Sequence, residues 1–124
     1  MLKTIAVDKK GDILTDVSLE RLKEQDIAWY WVDFDTPTRS EINLLTTFFK
    51  FHELLIEDCL TLLQRPKIEI TRQQIFLVSH VLKNIDADYE TLNMFVGKNY
   101  IVTFHLSHIR YVNKIVPKIL ILLF

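Results

Sequence analysis

The chain of 124 residues is 49% apolar and 25% charged, which suits one folded domain with a real core and excludes a disordered segment. Its formal net charge is −1, with acids and bases interspersed and no basic arm, which excludes the electrostatic footprint of a nucleic-acid binder. The single cysteine, Cys59, excludes an internal disulfide and reads as a small core residue in an apolar run.

The N-terminal stretch MLKTIAVDKKGD lacks the apolar run of a secretory signal. Residues 3–8 and 12–17 read as two short strands around a turn at Lys9-Lys10-Gly11. Ser18 caps a short helix over 18–26, with Arg21 as its third helical residue. Residues 28–34, AWYWVDF, are aromatic and β-branched and read as a strand. Trp29, Tyr30 and Trp31 alternate there, which points to core packing rather than base stacking, since no basic groove accompanies them.

Thr38 and Glu41 stand at capping-box spacing, and Thr36-Pro37 is an equally good helix start. The helix that follows carries Ile42, Leu45 and Phe49 on one face and breaks near Lys50-Phe51. A second helix covers about 53–63. Its apolar residues run almost all the way round, so it is expected to be largely enclosed. Pro66 disfavours the helical conformation at Arg65 and ends it. Residues 67–71, KIEIT, alternate like a half-buried strand, whereas residues 75–82, IFLVSHVL, form the continuous apolar run of a strand covered on both faces. Residues 92–96 and 100–106 flank Gly97-Lys98-Asn99 as a hairpin. Ile109, Val112, Ile115 or Val116, and Ile119 then have helical spacing, kinked at Pro117. The last ten residues, IVPKILILLF, are too short to span a bilayer, which takes about 20 apolar residues. A chain ending inside such a run reads as a fragment of a longer helix.

Glu57 and Asp58 interrupt the second helix. Adjacent helical positions diverge by about 100°, so the two carboxylates do not make a glycosidase-type pair. They are either a solvated helix edge or oxygen ligands to a hard cation such as Mg²⁺, which takes one or two carboxylates and keeps most of its waters. Gln64-Arg65-Pro66-Lys67 reads as a helix stop and strand entry, with Arg65 or Lys67 able to pair with Glu69 or with the two acids. No Gly-rich phosphate loop is present. His52, His80, His105 and His108 lack zinc-site spacing and read as structural or surface residues. No catalytic constellation appears, so no enzyme is expected.

Several stretches together resemble the cytosolic N-terminal domain of the CorA family of magnesium and cobalt transporters. They are WVDFDTPT (31–38), FKFHELLIED (49–58), QRPKIE (64–69) and IVTFH (101–105), within a similarity over about residues 25–112. The resemblance implies an αβα sandwich, an α/β fold whose mixed, largely antiparallel central sheet is covered by helices on both faces. Residues 1–107 would form this domain and 108–124 would begin a following helix. It further implies a regulatory, Mg²⁺-sensing role in a homopentameric transporter at the cytoplasmic face of the cell membrane. Such a protein meets the membrane only through later helices that carry a Gly-Met-Asn pore motif, none of which lies in these 124 residues. The fragment alone would not transport. Asp58, with Glu57 in the same region, would hold Mg²⁺ (Co²⁺ as a second ion) weakly between subunits, the partner acids lying outside the fragment. Gln64, Arg65, Pro66 and Lys67 carry over as a structural motif. Glu53 departs from the family pattern, where a proline follows the histidine, and adds a third acid. The alternatives are a domain of a related zinc transporter or a stand-alone soluble interaction domain.

Overall fold

The computed structural model describes residues 1–61, 65–82 and 89–109. In chain order the elements are β1 (Leu2–Asp8), β2 (Ile13–Thr15), α1 (Leu19–Leu22), β3 (Ile27–Asp35), α2 (Arg39–Thr47), α3 (Glu53–Leu60), β4 (Lys67–Ile70), β5 (Ile75–Leu82), β6 (Tyr89–Val96) and β7 (Tyr100–His105). The strands form one seven-stranded sheet in the order β2-β1-β3-β7-β6-β5-β4. Every neighbouring pair is antiparallel except β3 and β7. The mixed, largely antiparallel α/β sheet expected from the sequence is therefore present.

Local signals explain the starts of the three described helices and the first hairpin turn. Ser18 Oγ accepts from the Arg21 amide at 3.3 Å, although α1 runs for four residues only. Thr38 and Glu41 form the full reciprocal capping box of α2, so Thr38 rather than Thr36 starts the helix. His52 caps α3, its Nδ1 accepting from the Leu54 amide at 3.1 Å. Gly11 takes a φ of +91° in the β1–β2 turn, where other residues are strained.

All three helices feed one core on one sheet face. Leu22 of α1, Leu45 of α2, and Leu55, Ile56 and Cys59 of α3 pack on Val32, Phe34, Phe76, Phe95, Val102 and Phe104. Truncating one such leucine costs about 2–5 kcal/mol. The opposite face carries a smaller cluster of Trp29, Trp31, Leu92 and Ile109. The helix expected after His108 lies, beyond Ile109, outside the described residues.

Three burial expectations fail, one of them at β5, which is not covered on both faces: only Phe76 and Val78 are buried, while Ile75 is 38% and Leu82 65% exposed. α3 is not enclosed all round: Leu54 is 62% and Leu60 44% exposed. An eight-residue helix lying against a sheet buries one stripe, here Leu55, Ile56 and Cys59. β4 is not half-buried either, with Ile68 65% and Ile70 78% exposed. It is an edge strand paired only with β5, so nothing among the described residues covers its outer side.

Candidate functional site

Two groups of polar residues stand out, and the sheet places them very differently. The first lies where α3 meets the start of β4. Glu57 is exposed, while the Asp58 side chain is 25% exposed. The register of Lys67 opposite Val78 fixes the entry of β4 next to this helix. Lys67 Nζ donates to Asp58 Oδ2 at 2.6 Å and to Glu69 Oε1 at 3.2 Å. The Asp58 hydrogen bond, and then Glu69, raise the Lys67 pKa above its ordinary value despite partial desolvation. Of the sequence-proposed residues, the structure thus brings Asp58 and Lys67 together. Arg65 and Pro66 are exposed, Glu53 and Glu57 point to solvent, and Gln64 lies outside the described residues.

Among the described residues, no group of three or more His, Cys, Asp and Glu side chains could hold a metal by itself. The donors at α3 are hard carboxylate oxygens of the type Mg²⁺ selects. Among the described residues they are too few for a closed cage. The thiol of the neighbouring Cys59 is pushed up by burial, and further by the Asp58 charge, so it is no thiolate ligand. Close by, Cys59, Thr61, Thr91, Asn93 and Ser107 line a cavity of about 40 Å³. The buried Asn93 Oδ1 has no hydrogen-bond partner among the described residues, and the space is large enough for a water molecule.

The second group was not anticipated from the sequence. At the shared end of the parallel β3–β7 pair, Asp33 is 0% and His105 1% exposed. His105 Nε2 lies 2.9 and 3.0 Å from the two Asp33 carboxylate oxygens, and Nδ1 lies 2.7 Å from the Ser107 carbonyl. Both nitrogens face acceptors, and only the doubly protonated ring satisfies both. Burial alone would lower the His105 pKa. The Asp33 hydrogen bond and charge, the Ser107 carbonyl and the Asp35 charge outweigh it, so the pKa is raised.

Thr103 Oγ1 donates to Asp33 Oδ1 at 2.6 Å and accepts from Trp31 Nε1 at 3.0 Å. One step further out, Asp35 receives Thr36 Oγ1 at 2.8 Å and His108 Nδ1 at 2.9 Å. Desolvation raises the Asp35 pKa, but these bonds and the two histidines together hold it below the ordinary carboxylate value. Thr36 sits at a φ of +41°, an uncommon conformation for a β-branched residue. Its amide donates to the His105 carbonyl at 3.0 Å, which ties the bend to β7. Every charge in this network is paired: Asp33 with His105, and Asp35 with His108 and, at 3.9 Å, Lys3. It is a clasp buried at Asp33 and His105 and capped at its rim by His108, whose side chain is 60% exposed, and it accounts for both histidines in structural terms. One signal in the sequence could have found it: Asp33 and His105 each interrupt an otherwise apolar strand.

The chain is similar to known proteins over most of its length. The model of the CorA-like Mg²⁺ transporter protein family matches residues 26–122. Two curated relatives carry the name "Putative metal ion transporter". YfjQ of Bacillus subtilis is 41% identical over 106 residues, covering 86% of this chain and 33% of YfjQ. C17A12.14 of Schizosaccharomyces pombe is 28% identical over 95 residues, covering 73% of this chain and 15% of that protein. The chain thus spans about a third or less of these relatives' lengths.

Among solved structures, the soluble domain of CorA from Methanocaldococcus jannaschii superposes with a TM-score of 0.69 at 17% identity, covering 96% of this chain and 46% of that one. The complete CorA magnesium transporter from the same organism gives 0.71 at 15%, covering 96% and 36%. The full-length CmaX protein gives 0.73 at 14%, covering 93% and 37%. At these identities the superpositions establish the fold alone. No described helix is long and apolar enough to cross a membrane. With the family model matched over 97 of its 124 residues, the chain belongs to the CorA-like Mg²⁺ transporter family.

Proposed function

We propose that this chain is the regulatory, Mg²⁺-sensing part of a CorA-type divalent metal ion transporter, and that it does not transport by itself. The observation that carries the reading is the pair Glu57-Asp58 on the open edge of α3, in a chain matched by the CorA-like family model. Residues 1–107 form the sensing domain and 108–124 begin the next helix. The domain lies at the cytoplasmic face of the membrane, in a protein that self-associates as a homopentamer. No catalytic role is assigned to any residue.

In this reading Asp58 and Glu57 offer carboxylate oxygens toward a neighbouring copy, whose own acids complete the site. A bound Mg²⁺ supplies charge that lets facing carboxylates approach, where they would otherwise repel. Few ligands and retained water make such a site weak, as sensing of an abundant ion requires. Co²⁺ is the second ion expected to bind. Filling the sites shifts the population from splayed to closed assemblies.

The test uses the transporter that carries this domain, reconstituted in liposomes with Mg²⁺ flux as the readout. Asp58→Asn is expected to raise the internal Mg²⁺ concentration needed to stop flux. An unchanged closing concentration rejects Asp58 as a sensor ligand. Flux of Zn²⁺ in place of Mg²⁺ identifies a zinc transporter instead.

A further inference from the structure

The α3 edge already holds a cation of its own. Lys67 Nζ lies 2.6 Å from Asp58 Oδ2 and 3.2 Å from Glu69 Oε1. We propose that Lys67 is a resident counter-ion of Asp58 that a divalent ion must displace, so that this side chain sets the concentration at which the Asp58 site fills. The inference rests on the reading of Asp58 as a metal ligand.

Three features support the exchange. The first is position. Pro66 and the pairing of Lys67 with Val78 pin the lysine backbone at the start of β4, while its four-carbon stem leaves the ammonium mobile. The second is an alternative resting place. Glu69 is two residues on, so both side chains leave the same face of β4, and Lys67 already touches its carboxylate. Moving off Asp58 therefore does not leave the ammonium without an acceptor. The third is solvent access. The side chains of Lys67, Asp58 and Glu69 are 32%, 25% and 45% exposed, so none of the three is locked in a dry core.

Electrostatics forces the competition. A metal ion binds a carboxylate oxygen at about 2.0–2.1 Å for Mg²⁺, and an ammonium on the same carboxylate would stand only a few ångströms from it. The two cations repel, and the divalent one doubles the effect of the lysine charge. A partly exposed ion pair is weak enough to be exchanged. Glu57, one position earlier, points to solvent and is left to draw the incoming ion.

The experiment is a Mg²⁺ titration of this chain at constant ionic strength, followed by the ¹H–¹⁵N signals of Glu57 and Asp58. Lys67→Met keeps the apolar stem and removes the charge. It is expected to tighten the apparent Mg²⁺ affinity about three- to ten-fold, from the loss of one nearby positive charge. Lys67→Gln is expected to do the same, and Lys67→Arg, which keeps the charge, is expected to bind no more tightly than the parent chain. Asp58→Asn should remove the response at residue 58. If Lys67→Met and Lys67→Gln leave the affinity unchanged or weaker while Asp58→Asn removes the response, the counter-ion role is overturned and Asp58 stands as a ligand. If Asp58→Asn leaves the response intact, the ligand reading itself fails, and this inference falls with it. A Lys67→Met chain with no Mg²⁺-dependent shift at residue 58 also overturns it.

Discussion

The two ion-pair clusters use the same chemistry to opposite ends. Asp33 and His105 are fully buried, and each is bonded to more than one partner. Asp58 and Lys67 sit at the rim, with a quarter to a third of their side chains in water. In a dry interior, losing one partner strands the other charge, so such a pair cannot exchange partners and serves to fix geometry. At the rim, water pays part of the cost of separation, so the pair is weak and exchangeable. Burial, not residue type, separates the structural acid from the candidate sensor acid.

The sharpest way to break that contrast is Asp33→Ala. It leaves the His105 cation buried and takes the acceptor from Thr103. A loss of about 3–5 kcal/mol is expected, read from urea denaturation. A loss below about 1 kcal/mol, the value of an exposed pair, would place the clasp in the same class as the rim.

Thr103→Val comes next. It keeps the shape but removes the hydroxyl that stands between Trp31 Nε1 and Asp33 Oδ1. About 1–3 kcal/mol is expected, because a buried indole N–H is left without an acceptor.

Acidity offers a third test. The folded-state pKa of His105 is raised above its ordinary value of 6.5. The folded state therefore binds the proton more tightly than the unfolded chain. Its contribution is fully present below pH 6.5 and is lost as pH rises through the folded-state pKa. Thermal melts of the parent chain should show stability falling in this alkaline direction, and the fall should be smaller in His105→Gln. Asp35 works the other way: its lowered pKa adds stability above 3.8 that is lost as pH falls through the folded-state value.

The smallest effects belong to the rim. Asp58→Asn is expected to change stability by less than about 1 kcal/mol, and Glu57→Gln by less than about 0.5 kcal/mol. Denaturation midpoints close to the parent value would show that this acid pair is not retained for folding. A large loss at Asp58 would make it a structural residue like Asp33.

Legibility in the sequence followed the same division. The capping box of Thr38 and Glu41, the turn at Gly11 and the hairpin around Gly97 are short-range signals, and each appears where its residues placed it. Cys59 in an apolar run is indeed core. The acid pair was legible as an interruption of an apolar helix. What failed was burial at the periphery. Leu54, Leu60, Ile68 and Ile70 look like core residues by type, yet they face solvent because α3 is one-sided and β4 is an edge strand. The clasp failed for a different reason. His105 and Asp33 are 72 residues apart, and a histidine in an apolar strand carries no local sign of its partner.

The sequence by itself determined the elements, because caps, turns and side-chain periodicity act over three or four residues. It also determined the family, through motifs that span those elements and the residues between them. The tertiary structure decided which carboxylate is buried and which stands at the rim. Only the parallel pairing of β3 with β7 sets Asp33 beside Thr103 and Asp35 beside His105. Only the seating of β4 against α3 sets Lys67 on Asp58. The free energy of a charge depends on its distance from water and from other charges, and in this fold both distances are set by contacts between segments remote in the chain.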